Sequence, residues 1–285
     1  MNIQHISIPA TDGFQLAATI YQPEPLPAIN RIVLINSAMA VKRAFYDKYA
    51  RFLAEAGLVV ITFDYRGIGD SRASSLNGFA ATARDWAEKD IAGVIEWVSK
   101  QFPSAALLVV GHSIGGQLLG LLPNHQRIMA ALAIAAQSGY WGLWDPPRRR
   151  YLMLLFWYVV LPLTTNLCGY FPGSRLGMGE DVPAGVALEW ARWGRNPNYL
   201  IEHETTRERY RAFNAPILAY SFEDDAYAPK RTVEALLRFY SQSTVCHRHV
   251  APRELGVPAI GHFGFFRETL KSTLWVETLA WLQQH

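Results

Sequence analysis

Apolar positions along the chain switch between two periods, and the switches mark out its elements. Arg31–Asn36 (RIVLIN), Leu58–Phe63 (LVVITF), Leu107–Val110 and Ala130–Ala136 are short runs that are apolar nearly throughout. Such runs predict strands covered on both faces, as in a parallel sheet. Between them lie stretches of helical spacing. Tyr46–Ala56 stops at Gly57, a residue suited to closing a helix. Ala83–Gln101 sets Trp86, Ile91, Val94, Ile95 and Val98 on one amphipathic face, and Gln117–Leu122 predicts another apolar helix. At the start, Ile3–Ile8 and Gln15–Gln22 predict an antiparallel hairpin around Thr11-Asp12-Gly13. A link containing Pro23, Pro25 and Pro27 follows.

The alternation then stops. From about Gly142 to Asn214 no buried strand is legible, yet Trp144, Trp157, Trp190 and Trp193 lie inside this stretch and Trp141 at its edge. It resumes with a strand at Pro216–Phe222, a helix at Lys230–Tyr240, a strand at Thr244–Val250 and a closing helix at Arg267–Gln284. The expected architecture is α/β: a mostly parallel eight-stranded sheet with helices on both faces. Residues 1–141 and 215–285 would form the core, with 142–214 inserted after the sixth strand as a helical cap or lid.

Composition narrows the partners. At 285 residues, 50% hydrophobic and 18% charged, the chain can bury a large core and does not read as disordered. A net charge of +3 with dispersed basic residues argues against a nucleic-acid surface. Arg148-Arg149-Arg150, the one basic run, is expected in a solvated turn. Cys168 and Cys246 fit no C-x-x-C or Cys/His pattern, so both are expected to be buried thiols, with no disulfide and no metal site. Neither a phosphate-binding Gly-x-x-x-x-Gly-Lys loop nor a His-Glu-x-x-His pair is present, and no cofactor is expected. The N-terminal residues lack the pattern of a signal peptide, which makes cytoplasmic residence the expectation. Tyr151–Leu163 (YLMLLFWYVVLPL) is a run of about 13 residues, short of the about 20 that span a bilayer, and Pro162 is expected to break it. A buried or lid helix is expected there, with interfacial contact with lipid as the sharper alternative. The sequence leaves the oligomeric state open.

The strand Leu107–Val110 runs straight into Gly111-His112-Ser113-Ile114-Gly115, a G-x-S-x-G pattern between strand and helix. A serine aimed out of so sharp a turn needs small neighbours two residues either side, which glycines 111 and 115 supply. It sits at a helix N-terminus, where free amides and the helix dipole favour a developing negative charge. Such a hydroxyl needs an imidazole to take its proton and a carboxylate to orient the imidazole. In this kind of sheet the chain order should be serine, acid, histidine. The loop Glu223-Asp224-Asp225-Ala226-Tyr227-Ala228-Pro229 supplies Asp225, with Asp224 as the alternate. Gly261-His262-Phe263-Gly264 supplies His262. Of the other histidines, His247 and His249 fall within a strand, His203 lies in the insertion, and His112 is expected to pack locally. The two oxyanion donors are expected at the Ile114 amide and, in the Asn36–Ala40 loop, at Ala38 with Met39 as the alternate.

With these stretches in place the chain resembles the α/β-hydrolase superfamily over nearly its whole length. It is most similar to the serine aminopeptidase-like and monoglyceride lipase-like branch. The resemblance rests on Asn36–Met39 with Phe45-Tyr46, Asp64-Tyr65-Arg66-Gly67-Ile68-Gly69-Asp70-Ser71, Gly111–Gly116, Asp225–Pro229 and Gly261–Gly264. It implies a structural role for the Asp64–Ser71 turn. The family usually has His-Gly where this chain has Asn36-Ser37.

The leading expectation is hydrolysis of an ester or thioester with an apolar acyl group by Ser113, His262 and Asp225. The small-molecule substrate would be covered by Trp141, Trp144, Phe156, Trp157 and Phe263. A serine at position 113 disfavours dehalogenation, which would place a carboxylate there. Acyl transfer would use the same triad, and so would a peptidase, which needs a carboxylate such as Glu180, Asp181 or Glu189 for the substrate amine. A ligand-binding protein without catalysis is the third class, and fold alone does not decide among them.

Overall fold

A computed structural model describes residues 1–24, 30–72 and 75–285, so Pro25 and Pro27 of the expected link lie outside the described residues. Among the described residues ten strands occur, in chain order β1 (Asn2–Pro9), β2 (Gln15–Gln22), β3 (Arg31–Asn36), β4 (Val59–Phe63), β5 (Ala106–His112), β6 (Ile128–Ile134), β7 (Tyr170–Phe171), β8 (Val182–Pro183), β9 (Ile217–Phe222) and β10 (Val245–Val250). Eight pair in the order β1-β2-β4-β3-β5-β6-β9-β10, and β7 and β8 form a separate two-stranded pair. The β1/β2 and β2/β4 pairings are antiparallel and all others in the large sheet are parallel.

Successive side chains on a strand point to opposite faces, so an unbroken apolar run feeds two cores. Ile32, Leu34, Ile61 and Val109 pack with Trp86, Ile95 and Leu118 of the 83–101 and 114–121 helices. Val33, Ile35, Val60 and Val110 pack with Tyr49 and Leu53 of the Asp47–Glu55 helix and with Trp275 and Leu282 near the C-terminus. β10 departs from this pattern. As the edge strand it alternates, leaving Cys246 and Arg248 exposed. The expectation of two buried thiols is therefore corrected: Cys246 is exposed and Cys168 half-buried.

The Asp64–Ser71 turn at the end of β4 is held by buried charge. Arg66 donates to Asp90 through its backbone N–H and Nε, and forks onto both oxygens of Asp12 at 2.8 and 2.9 Å. Asp64 is fully buried and accepts from the Arg43 and Asp70 amides. With each charge paired and hydrogen-bonded, burial is tolerated. Through the Arg43 amide the turn is tied to the segment that follows β3.

Between β6 and β9 the chain forms helices over Pro147–Cys168, Ala184–Arg195 and Glu204–Ala212. Two expectations are corrected here. Arg148–Arg150 lie in the first turn of the first of these helices, not in a loop. Pro162 does not break that helix, which runs unbroken for 22 residues. Just before the proline, Phe156–Val160 is wound as a π-helix, where the ordinary pairing is already interrupted. The Thr164 hydroxyl bonds the Val160 carbonyl at 2.8 Å beside it. Trp157, Leu161 and Thr165, four residues apart, are the buried positions of the helix.

Gly194 lets the two long helices of the insertion meet. A Cβ there would stand 2.4 Å from the buried Trp157 indole. In an open helix Gly→Ala stabilises by about 1 kcal/mol. Here the rigid ring makes Gly194→Ala an overpacking change, expected to destabilise by roughly 1–3 kcal/mol in urea denaturation. A stabilised variant would show that the two helices do not pack this closely.

Candidate active site

The turn after β5 is where backbones approach most closely. A Cβ on Gly111 would lie 2.5 Å from Gly116 Cα, and one on Gly115 would lie 2.4 Å from the Asn36 carbonyl oxygen. Ser113 between them has φ +51° and ψ −118°, a conformation few side-chain-bearing residues adopt. The strain aims its hydroxyl away from the packed turn, and Ser113 is 7% exposed at the wall of a cavity of about 420 Å³.

His262 lines the same cavity. Its Nδ1 lies 2.8 Å from Asp225 Oδ2, and both side chains are buried. A carboxylate only accepts, so Nδ1 carries the proton and Nε2 is left free to receive one. Asp225 Oδ1 accepts from the Tyr227 and Ala228 amides at 2.7 and 2.9 Å, which fixes the carboxylate's plane. The alternate, Asp224, does different work: it accepts from the Ile260 and Gly261 amides at 2.8 and 3.0 Å and so ties the acid loop to the histidine loop. Ser113 Oγ and His262 make no hydrogen bond in this state. Such contacts often tighten only around substrate.

The oxyanion expectation changes. The Ala38 N–H is donated to the Tyr46 hydroxyl at 2.8 Å and is therefore engaged. Among the described residues, the Met39 and Ile114 amides have no backbone or side-chain acceptor. The geometry thus favours the alternate, Met39, over Ala38 as partner to Ile114.

Tyr46 and His112 were not legible as site residues. His112 Nε2 faces the His262 carbonyl at 2.9 Å and Nδ1 faces Tyr46 Oη at 2.9 Å. A carbonyl only accepts, so Nε2 bears the hydrogen and Nδ1 accepts from Tyr46. The chain therefore runs one way: the Ala38 N–H to Tyr46, the Tyr46 O–H to His112, and the His112 N–H to the His262 carbonyl. Burial, with His262 close by, holds the His112 pKa well below that of an ordinary imidazole, so the ring is neutral. Both residues are fully buried. The only cue in the sequence is that an aromatic and an imidazole stand beside each loop.

Of the expected pocket residues, Phe263 lines the Ser113 cavity, while Trp144, Phe156 and Trp157 line an adjoining apolar chamber of about 250 Å³. Trp141 lines neither. It packs against the core and against Tyr140 in its own short turn. Trp190, not expected, lines both, as do Gln137, Met178 and Tyr227, so the two spaces adjoin. Among the described residues no three His, Cys, Asp or Glu side chains cluster to hold a metal ion.

A family model described as "Alpha/beta hydrolase family" matches residues 32–269. Solved structures share the fold at low identity. An esterase domain from Rhodothermus marinus is 17% identical with a TM-score of 0.59, covering 99% of each chain. A highly thermostable carboxyl esterase from Bacillus coagulans is 16% identical with a TM-score of 0.64, covering 100% of this chain and 99% of its own. A serine hydrolase without lid from Xanthomonas campestris is 15% identical with a TM-score of 0.52, covering 100% and 93%.

Two outcomes follow from the Tyr46–His112 chain. Tyr46→Phe leaves the Ala38 N–H and His112 Nδ1 buried without partners and should cost about 1–3 kcal/mol of stability. Unfolded His112 takes a proton near pH 6.5, which the buried ring refuses. Its contribution is therefore complete above that pH and lost as the pH falls below it, with His125, His247 and His249 acting in the same direction. Denaturation at pH 7 and pH 5 should show a smaller difference for His112→Gln than for the parent; an equal difference would place the sensitivity elsewhere.

Proposed function

The chain belongs to the alpha/beta hydrolase family, and from that premise we propose that it is a serine hydrolase cleaving a carboxylic ester or thioester with an apolar acyl group. The observation that carries this reading is the Asp225–His262 bond on the wall of the Ser113 cavity, with an apolar chamber beside it. His262 Nε2 accepts the Ser113 proton as Oγ attacks the acyl carbon. Asp225 holds the tautomer and stabilises the imidazolium. The Met39 and Ile114 amides bind the oxyanion of the tetrahedral intermediate. Collapse expels the alcohol or thiol, protonated by His262. Water, deprotonated by the same imidazole, then attacks the acyl-enzyme and releases the acid. The acyl group extends among Trp144, Phe156, Trp157 and Trp190, under the insertion acting as a cap.

The carboxylates that a peptidase would need are otherwise engaged. Glu180 reaches the cavity but pairs with Lys42 at 3.1 Å. Asp181 accepts from Ser174, and Glu189 from the Arg84 amide and Arg192. This favours ester over peptide. Acyl transfer to an alcohol or amine would use the same residues.

A fluorophosphonate should label Ser113 stoichiometrically in the parent and not in Ser113→Ala, whose kcat on a p-nitrophenyl ester should fall about ten-thousandfold or more. Across p-nitrophenyl esters and acyl-CoAs of graded length, kcat/KM should rise as the acyl group fills the apolar chamber. Turnover confined to acetyl substrates would overturn the acyl assignment, and absence of labelling would overturn the hydrolase itself.

A further inference from the structure

The Pro147–Cys168 helix is the most apolar exposed feature of the described surface. Tyr151, Leu152, Leu155, Val159, Leu163 and Leu167 are all exposed on it, Leu167 at 76% and Tyr151 at 67%. No Asp, Glu, Lys or Arg occurs from 151 to 168. Large bare apolar patches on otherwise folded proteins mark contact surfaces. Length and composition would allow the helix to cross a bilayer. Its inner face is already committed, however: Trp157 and Leu161 are buried, and Trp157 lies against Gly194. A helix packed along one side on the protein body lies on a membrane and does not span it.

Three features select a lipid layer as the occupant. The first turn carries Arg148 and Arg149, which have no ion-pair partner among the described residues, so the apolar face begins with free positive charge. Basic residues at an apolar helix suit anionic headgroups. Tyr151 and Tyr158, also exposed, bring amphipathic rings of the kind that settle at the headgroup level. Most tellingly, Leu152 is 62% exposed and also lines the inner apolar chamber. Phe45, Tyr227 and Phe263 on the Ser113 cavity are more than a third exposed as well. The outer apolar face thus runs into the apolar interior. A protein partner there would close that route, whereas a lipid layer would feed it.

We infer that the outward face of the Pro147–Cys168 helix docks on an anionic lipid surface, from which an apolar acyl substrate passes at Leu152 into the chamber. The docking stands on the exposed face and its opening into the chamber at Leu152; the substrate rests on the hydrolase reading.

Vesicle co-sedimentation of full-length Ser113→Ala separates the two, because it needs no turnover. This protein should bind vesicles of equal parts phosphatidylglycerol and phosphatidylcholine. Adding Leu155→Asn, Leu163→Asn and Leu167→Asn should weaken binding at least tenfold. Adding Arg148→Gln and Arg149→Gln should weaken it roughly tenfold on the anionic vesicles, and much less on phosphatidylcholine alone. In the Ser113 background the same changes should leave turnover of a soluble short-chain ester unchanged, which also reports folding. Failure of Ser113→Ala to bind either vesicle would overturn the docking, as would undiminished binding of the triple variant. So would a dimer that the triple variant dissociates, which would give the face to a second copy. Vesicle binding without ester turnover in the Ser113 protein would instead overturn the hydrolase reading and leave the docking standing.

Discussion

The site depends on how closely the backbone after β5 presses against the loop after β3. Gly115 touches the Asn36 carbonyl, Gly111 touches Gly116, and Ser113 is wedged between them at positive φ. A non-glycine residue held there costs of order 1–3 kcal/mol and persists only where its surroundings leave no alternative. Those surroundings are the two cores that clamp β3 and β5 from both faces. The same approach leaves Met39 and Ser113 on the wall of one cavity. Moving either strand by one residue would reverse its faces and dissolve the arrangement.

Strands alone do not set the third loop. The acid and histidine loops lie beyond β9 and β10, and β10 is an edge strand with one neighbour. Two polar ties compensate. Asp224 joins the two loops through backbone amides, which leaves Asp225 to orient the imidazole. The Tyr46–His112 chain then fastens the His262 carbonyl to the β3 loop across the end of β5. In a dry interior each such bond is stronger than in water, and a missing partner is correspondingly costly. Neighbouring acidic residues that look interchangeable in the sequence therefore divide into one that holds the loop and one that holds the ring.

This division explains what could be read beforehand. Periodicity located the eight strands of the sheet to within a few residues, because runs such as RIVLIN can be satisfied only inside a covered sheet. The glycines flanking Ser113 were legible because sterics demand them. The Tyr46–His112 chain was not, since its partners are 66 and 150 residues apart and meet only through the fold. Ala38 and Met39 are adjacent small and flexible residues, and only the position of the Tyr46 hydroxyl separates an engaged amide from a free one. Pro162 misled for a similar reason: its cost depends on whether the preceding turn is α or π, which composition does not state.

The insertion was least legible because its apolar residues serve two faces of one helix. Trp157 and Leu161 point inward and Leu155 and Leu163 outward, so no single amphipathic stripe emerges. Its buried residues, Trp157, Leu161 and Trp193 among them, join the sheet's apolar core, and a polar chain adds direction. The Trp190 indole donates to Tyr199, Tyr199 to Gln117 on the helix following Ser113, and Gln117 to Gln137, which reaches the Tyr227 carbonyl of the acid loop. This chain starts at a ring lining both chambers and ends two residues from Asp225. The insertion is thus held in register with the helix after Ser113 and the Asp225 loop by directional bonds, while its outer apolar face remains exposed. The parts that shape the apolar chamber are fixed, and the part that meets the surroundings is the one side of the helix on which nothing in the fold depends.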